Sequence, residues 1–357
     1  MKAIKSWPAG ILGVAVLISG CGAPQAGSTS PGAGADSVTI ENCGQTMEYP
    51  KPTTRLFAND GNIISIALAA GAAENLVAVS SLQRDADVLT LKFGDVVGKL
   101  KVVAPEYPSL ENIVAADPQV VFAGWGYGFS DSKNLTPDIL REKGIASYLL
   151  SETCRQDNGD RGTMPPWDAL THDIASIGQM TGHPEVAADA VADIEKRREA
   201  LEKAPRAANA PVAFLFDSAS DTIFSSGSYG APQAMMESAG VTNALSDVSD
   251  TWTKVSWERL AAADPDIIFF VDYPSQSFDE KVAALKANPA SQNLTAVKQE
   301  RFVNLPYAMW TSGPLNIDGA EYIRKALEHY GLQPATDIAP GLDIKKLADL
   351  PGNAWLG

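Results

Sequence analysis

Histidine is almost missing from this chain. His172, His183 and His329 are the only three in 357 residues, and they stand far apart. They do not form a multi-histidine metal site, and no H-E-x-x-H pair occurs. The G-x-S-x-G elbow and the P-loop are absent too. Gly124-Trp125-Gly126-Tyr127-Gly128 is rich in glycine, but Phe129 stands where a G-x-G-x-x-G dinucleotide loop requires glycine. The expectation is a protein that is not an enzyme, with no catalytic residues, no metal ligands and no intrinsic cofactor. Basic residues are also in short supply. Lys and Arg number 28 against 43 Asp and Glu, a formal net charge of -15. Nucleic acid is a poor partner for such a surface, because phosphate binding needs clustered cations. Long hydrophobic runs are missing as well: Ile11 to Ile18 falls well short of the roughly 20 residues that span a bilayer.

That short run has a clear use. Lys2 and Lys5 precede it and small residues follow, which is the layout of an export signal. Leu17-Ile18-Ser19-Gly20-Cys21 resembles the lipobox of bacterial lipoproteins, in which the cysteine becomes the lipidated first residue; the bland reading is an ordinary signal with an incidental Cys21. Gly22 to Ala35 is a Gly-, Ala-, Ser- and Pro-rich tether. The expected layout is a signal peptide over 1–20, then a lipid-anchored flexible tether over 21–36, which puts the protein outside the cytoplasm on the cell membrane. Two cysteines remain, Cys43 and Cys154, and an even pair in an oxidising compartment is expected to form a disulfide. The competing reading, Cys154 as a thiol nucleophile, needs a histidine partner and has no surrounding signature.

Apolar residues make up 45 % of the chain, enough for a sizeable core. The most informative stretch occurs twice. Ser109 to Phe122 reads SLENIVAADPQVVF, and Ser256 to Phe269 reads SWERLAAADPDIIF, with seven of fourteen positions identical. Each copy reads as a Ser-capped amphipathic helix, a stop at Asp-Pro and a buried strand. Two copies imply two similar α/β halves. Around them, Arg55 to Ala58, Leu76 to Ser80 and Ala146 to Leu150 read as strands of the first half. Val212 to Phe216, Ile267 to Val271 and Phe302 to Leu305 read as strands of the second. Helical patterns alternate with them, which implies parallel sheets. From Pro184 to Lys203, Ala187, Ala190, Val191, Ile194 and Leu201 fall largely on one face of a helix about 30 Å long. The expected fold is α/β: two Rossmann-like lobes with parallel sheets joined by a single long helix. The lobes span 37–183 and 205–357, the latter with an irregular tail, and the helix spans 184–204.

Taken together, the lipobox, the two lobes, the joining helix and the duplicated S-x-E-x-(I/L)-x-x-x-D-P-x-(V/I) lines resemble the helical-backbone (class III) substrate-binding lipoproteins of bacterial ABC importers, of iron-siderophore and cobalamin type. The resemblance covers about Val38 to Leu332, with Val97-Gly98 through Val121 matching the first-lobe pattern. Gln119 stands where that family usually has Asp, whereas the second copy keeps Asp266. The resemblance implies that Glu111 and Glu258 dock on a permease, which couples to its ATPase; the bland alternative is a capping charge in the first helical turn. It also implies a monomer that takes its ligand between the lobes. The cargo expected is a ferric siderophore or a similar iron chelate. A corrinoid, haem or a deazaflavin cofactor precursor is the alternative, and a surface scavenger without a transporter is a second one.

Loops beyond the strand ends should reach that ligand. The candidates are Asn59, Asp60, Arg84, Trp125 and Tyr127 from the first lobe, and Tyr229, Trp252, Tyr273 and Trp310 from the second. Their aromatic rings suit a large, flat cargo. Arg84, Arg155 and Arg161 are candidates for gripping an anionic one.

Overall fold

The two copies of the repeated line fold alike, for reasons local to their residues. In the computed structural model, which describes residues 36–348 and 350–356, the first copy forms the helix Leu110–Ala116 and the strand Val120–Trp125. The second forms the helix Trp257–Ala263 and the strand Ile267–Asp272. Ser109 and Ser256 cap the helices by accepting from the amides of Asn112 and Arg259, at 3.3 and 3.2 Å. Asp117 and Asp264 end them in left-handed conformations, φ 50° and 38°. The residue after the proline then fastens the strand's neighbour. Gln119 accepts from the Arg55 amide at 3.0 Å, and Asp266 accepts from the Val212 amide at 2.9 Å. One acceptor oxygen is all the position requires, which is why glutamine serves in one half where the other has aspartate.

Each strand joins a separate parallel sheet. The first sheet runs Val102–Ala104, Leu76–Ser80, Leu56–Asn59, Val120–Trp125, and the last of these also pairs with Ala146–Leu149 and Gly128–Phe129. The second runs Thr242–Asn243, Val212–Phe216, Ile267–Asp272, Phe302–Pro306. The central strands are apolar throughout because helices cover both faces. The chain is thus an α/β protein of two Rossmann-like halves, and the helix Pro184–Glu202 runs between them in sequence. Segments 1–20 and 21–35, with Cys21, lie outside the described residues.

Several elements have weak sequence signals. An antiparallel hairpin, Ser37–Asn42 with Gln45–Pro50, opens the described chain. Its turn carries Cys43 and Gly44, both at positive φ (51° and 71°). Cys43 is disulfide-bonded to Cys154, as expected, with the Cα atoms 5.1 Å apart. A small antiparallel sheet, Ser218–Ala219, Ile223–Ser226 and Trp252–Val255, lies in the second half. The last long helix, Asn316–His329, begins six residues before its apolar pattern becomes legible at Tyr322. The tail is irregular apart from short 3-10 turns, yet it buries Leu342 and Ile344.

One hydrophobic cluster runs through both halves, and polar bonds cross between them at its margins. Trp167 donates its indole N–H to Ser238 Oγ at 3.0 Å, and Asn62 donates to the Ser312 carbonyl at 2.9 Å. Arg197, on the joining helix, donates to Asp318 and Glu321 at 2.6 Å each. Glu152 of the first half accepts from the Ala231 amide at 2.9 Å, at the start of the helix Ala231–Ala239. Gly162, at φ 98°, presses so closely on Tyr229 that a Cβ there would sit 2.1 Å from that of Tyr229.

Two outcomes follow from these contacts. Replacing Cys43 and Cys154 by alanine opens a loop of 111 residues and should cost about 2–5 kcal/mol in chemical unfolding; an unchanged midpoint would contradict this. Burial pushes the Glu152 carboxyl up to about 7, although the Ala231 amide and Arg161 pull it down. A carboxyl raised in the folded state binds more protons there than in the unfolded chain. It therefore loses stability as pH climbs from about 4.5 to about 7. Glu152→Gln keeps an acceptor for Ala231 and removes that titration. Its unfolding free energy should fall less than that of wild type between pH 5 and 7.5, by up to about 3 kcal/mol. Parallel profiles would show that Glu152 is ionised throughout.

Candidate functional site

The C-terminal ends of both sheets face a common cleft. Tyr127 follows the strand Val120–Trp125, Asp217 follows Val212–Phe216, Tyr273 follows Ile267–Asp272 and Tyr307 follows Phe302–Pro306. With Tyr107, Arg161, Phe224 and Trp252 they line a cavity of about 240 Å³. A larger opening of about 750 Å³ shares Tyr107, Tyr273 and Ser275 with it and adds Arg84, Glu106 and Lys133. A third, of about 620 Å³, shares Ser218, Phe224 and Ser275. The three form one cleft, in the place where open parallel sheets bind ligands.

A buried ion cluster forms its first-half floor. Asp60 ends its strand at φ 79° and caps the helix Gly61–Ala69 through the Gly61 amide, at 2.8 Å. Arg84 donates to Asp60 and, at 3.1 Å, to Asp85. Its guanidinium also lies 3.8 Å over the Tyr307 ring and 5.2 Å from that of Tyr273, so one cation ties the first half to the aromatic wall of the second. Gly61 has no room for a side chain, since a Cβ would fall 2.3 Å from Asp85 Oδ2. Burial raises Asp60 against the pull of Arg84. Burial pushes Asp85 up to about 7, with Arg84 opposing and Asp60 adding to the rise. The phenols above are held in their protonated form: burial raises Tyr107, Tyr127 and Tyr307, and the charge of Asp60 adds to each. Tyr107 turns its proton toward Asp60, and Tyr127 and Tyr307 keep theirs to donate.

The residues expected from sequence divide into three groups. Arg84, Tyr127, Trp252 and Tyr273 line the cleft. Asn59 and Asp60 are wholly buried beneath it, Asn59 accepting from Ser80 Oγ at 2.8 Å. Trp125 and Tyr229 lie outside the lining of the three cavities. Trp125 is covered by the Arg155 guanidinium at 3.6 Å, and Tyr229 packs on Gly162. Trp310 needs correction. It ends the short helix Tyr307–Trp310, is fully buried, and donates to the Phe270 carbonyl at 3.0 Å. It is a core residue, because the helical turn after the strand sends Tyr307 to the cleft and Trp310 inward. Of the three arginines, Arg84 and Arg161 line the cleft and Arg155 does not, and each has an aspartate as neighbour. Tyr107, Asp217 and Phe224 were not anticipated. Asp217 had a usable signal, since it directly follows an apolar strand. Tyr107 follows a strand of three residues, and Phe224 sits in a hairpin without a turn motif.

Glu111 and Glu258 occupy equivalent exposed first-turn positions. Each carboxyl is held below the usual range by its own amide and by the capping serine. Among the described residues no helix is long and apolar enough to cross a membrane.

No curated protein sequence matches the chain. Solved structures resemble its fold. A periplasmic binding protein from Veillonella parvula aligns with TM-score 0.69 and 20 % identity, covering 84 % of this chain and 99 % of its own. An ABC-type Fe3+-hydroxamate transport system protein from Saccharomonospora viridis aligns with TM-score 0.66 and 22 % identity, covering 81 % and 98 %. A periplasmic haem-binding protein from Pseudomonas aeruginosa gives 0.60 and 19 %, covering 80 % and 96 %. The family model for periplasmic binding proteins matches residues 58–308, which include both repeated lines, both sheets and most of the cleft, and the chain belongs to that family.

Proposed function

We propose that the protein is the lipid-anchored, extracytoplasmic binding component of an ABC importer, which captures a ferric siderophore or a similar iron chelate and hands it to a permease. The observation that carries the choice of cargo is the lining of the cleft. It is aromatic, phenolic and polar, with no His, Cys or Met side chain in any of its three cavities. Haem iron would have to be ligated by a tyrosinate here, and a phenol so deeply buried gives up its proton only to the metal itself. An iron ion already wrapped by its own chelator asks nothing of that kind. It needs flat surfaces and hydrogen-bond donors, and Tyr107, Tyr127, Tyr307 and Trp252 supply both. The polar bonds between the halves fit a protein that closes little on its ligand. Glu111 and Glu258, one exposed and ionised carboxylate per half at the same register, fit a two-subunit permease carrying basic residues.

Tryptophan fluorescence of the purified protein tests the cargo, because Trp252 lines the cavity. A ferric hydroxamate should quench it, and Tyr127→Ala should weaken binding by roughly tenfold or more. A response to haem or cobalamin alone would move the assignment to those ligands. The Glu111→Ala/Glu258→Ala double variant should bind chelate as tightly as wild type and fail to support uptake by cells carrying the cognate permease. Normal uptake would leave the two glutamates as helix-capping charges only.

A further inference from the structure

The arginines that line the cleft are already engaged. Arg84 is held by Asp60 and Asp85. Arg161 donates to the Trp252 carbonyl at 2.6 Å and lies 3.7 Å from Asp250. Lys281, buried behind the second-half wall, donates to the Val271 carbonyl and is attracted by two carboxylates, Asp217 and Asp272. In the outer opening Lys133 lies 5.6 Å over the Tyr107 ring, and Glu106 shares the same lining. With Lys254 and Glu280 of the third cavity, five cations thus meet seven carboxylates, an excess of two negative charges when all are ionised. Burial raises Asp60, Asp85 and Asp217, so three of the seven must take up protons before the balance turns positive, and the excess grows as pH rises. A cleft so charged does not favour an anion.

The inner cavity adds a more specific observation. Asp217 lines it; burial raises its carboxyl, while Ser218 and the charges of Lys281 and Arg84 pull it down, and no salt bridge ties it to either cation among the described residues. Tyr107, Tyr127, Trp252 and Tyr273 share that lining. Trp252 is only 5 % exposed, and its indole Nε1 has no hydrogen-bond acceptor among the described residues, which leaves a buried donor for a ligand oxygen. Aromatic faces carry negative potential and attract cations, and a carboxylate among them completes the recognition chemistry for an organic ammonium group. A cavity of about 240 Å³ admits a side arm, not a whole chelate.

We propose, building on the chelate reading above, that the cargo carries a net positive charge and inserts an ammonium-bearing arm into the inner cavity, against Asp217 and the surrounding rings. The iron-bearing body then rests in the outer opening over Arg84 and Tyr273. The charge arithmetic of the chelates agrees with this. Three hydroxamates cancel the charge of ferric iron, so a pendant amine leaves such a complex cationic. Three catecholates leave it strongly anionic.

The test uses a linear ferric trihydroxamate with a free terminal amine, its N-acetyl derivative and its N-succinyl derivative. They share one iron core and carry +1, neutral and -1 end charges by design. Calorimetric titration of the purified protein should rank them in that order, the amine binding about tenfold tighter than the acetyl form. Asp217→Asn, checked for folding by circular dichroism, should remove the preference for the amine, bringing the amine and acetyl complexes to within about threefold of each other. Equal or tighter binding of the succinyl complex overturns the proposal, as does an unchanged preference in Asp217→Asn. Tight binding of haem or of a ferric tris-catecholate also overturns it. Binding of cationic aquocobinamide alone, weakened by Asp217→Asn, would remove the iron-chelate reading and uphold the charge assignment. Silence across the whole panel counts against both.

Discussion

The clasp of Arg84 between Asp60 and Asp85 is the contact on which the cleft depends. Desolvating three charged groups is costly, and such a cluster persists only when each group has partners. Here every partner also has another task. Asp60 caps a helix and donates its own amide to the Ser80 carbonyl, so it ties two neighbouring strands of the first sheet together. Asp85 fills the space that Gly61 leaves open. Arg84 lies flat on Tyr307, across the gap between the halves. The floor of the cleft is therefore set before any ligand arrives, and preorganisation of this kind reduces the ordering cost of binding.

How much of this could be read from the sequence depended on how local the cause was. The repeated line was legible because its signals lie within fourteen residues: a serine cap, a first-turn glutamate, an Asp-Pro stop and an apolar run. The departure at Gln119 looked like a weakness and proved to be an equivalent acceptor. The small antiparallel sheet escaped notice because its strands pair only through tertiary contacts, and Phe224 went with it. Trp310 was misplaced for a related reason. A strand exit marks where the chain enters the cleft, but a single helical turn decides which way each side chain points. Asn59 and Asp60 are buried beneath the cleft instead of lining it, and Asp60 holds Arg84, which does line it. A sequence displays arginines without their partners, and the aspartates beside Arg84, Arg155 and Arg161 became visible only in the fold.

The seam between the halves gives the joining helix a second part. Pro184–Glu202 does more than keep the two lobes on one chain, since Arg197 on its flank binds both Asp318 and Glu321. Glu152, Asn62 and Trp167 add bonds from the first half directly to the second. Motions that open the cleft must break buried polar contacts, each worth about 1 kcal/mol net and more if left unsatisfied. A wide swing would expose several at once, whereas a small tilt can preserve most of them.

Gly162 acts as the shim of this assembly. Its missing side chain allows the first-half loop to touch Tyr229, so the thickness of one residue sets how near the lobes come on that side. A methyl group there would wedge the jaws apart without touching any cargo. Lineages that needed to carry a bulkier molecule could widen the mouth by a change at this one position, leaving the cavity walls and the charge pattern as they are.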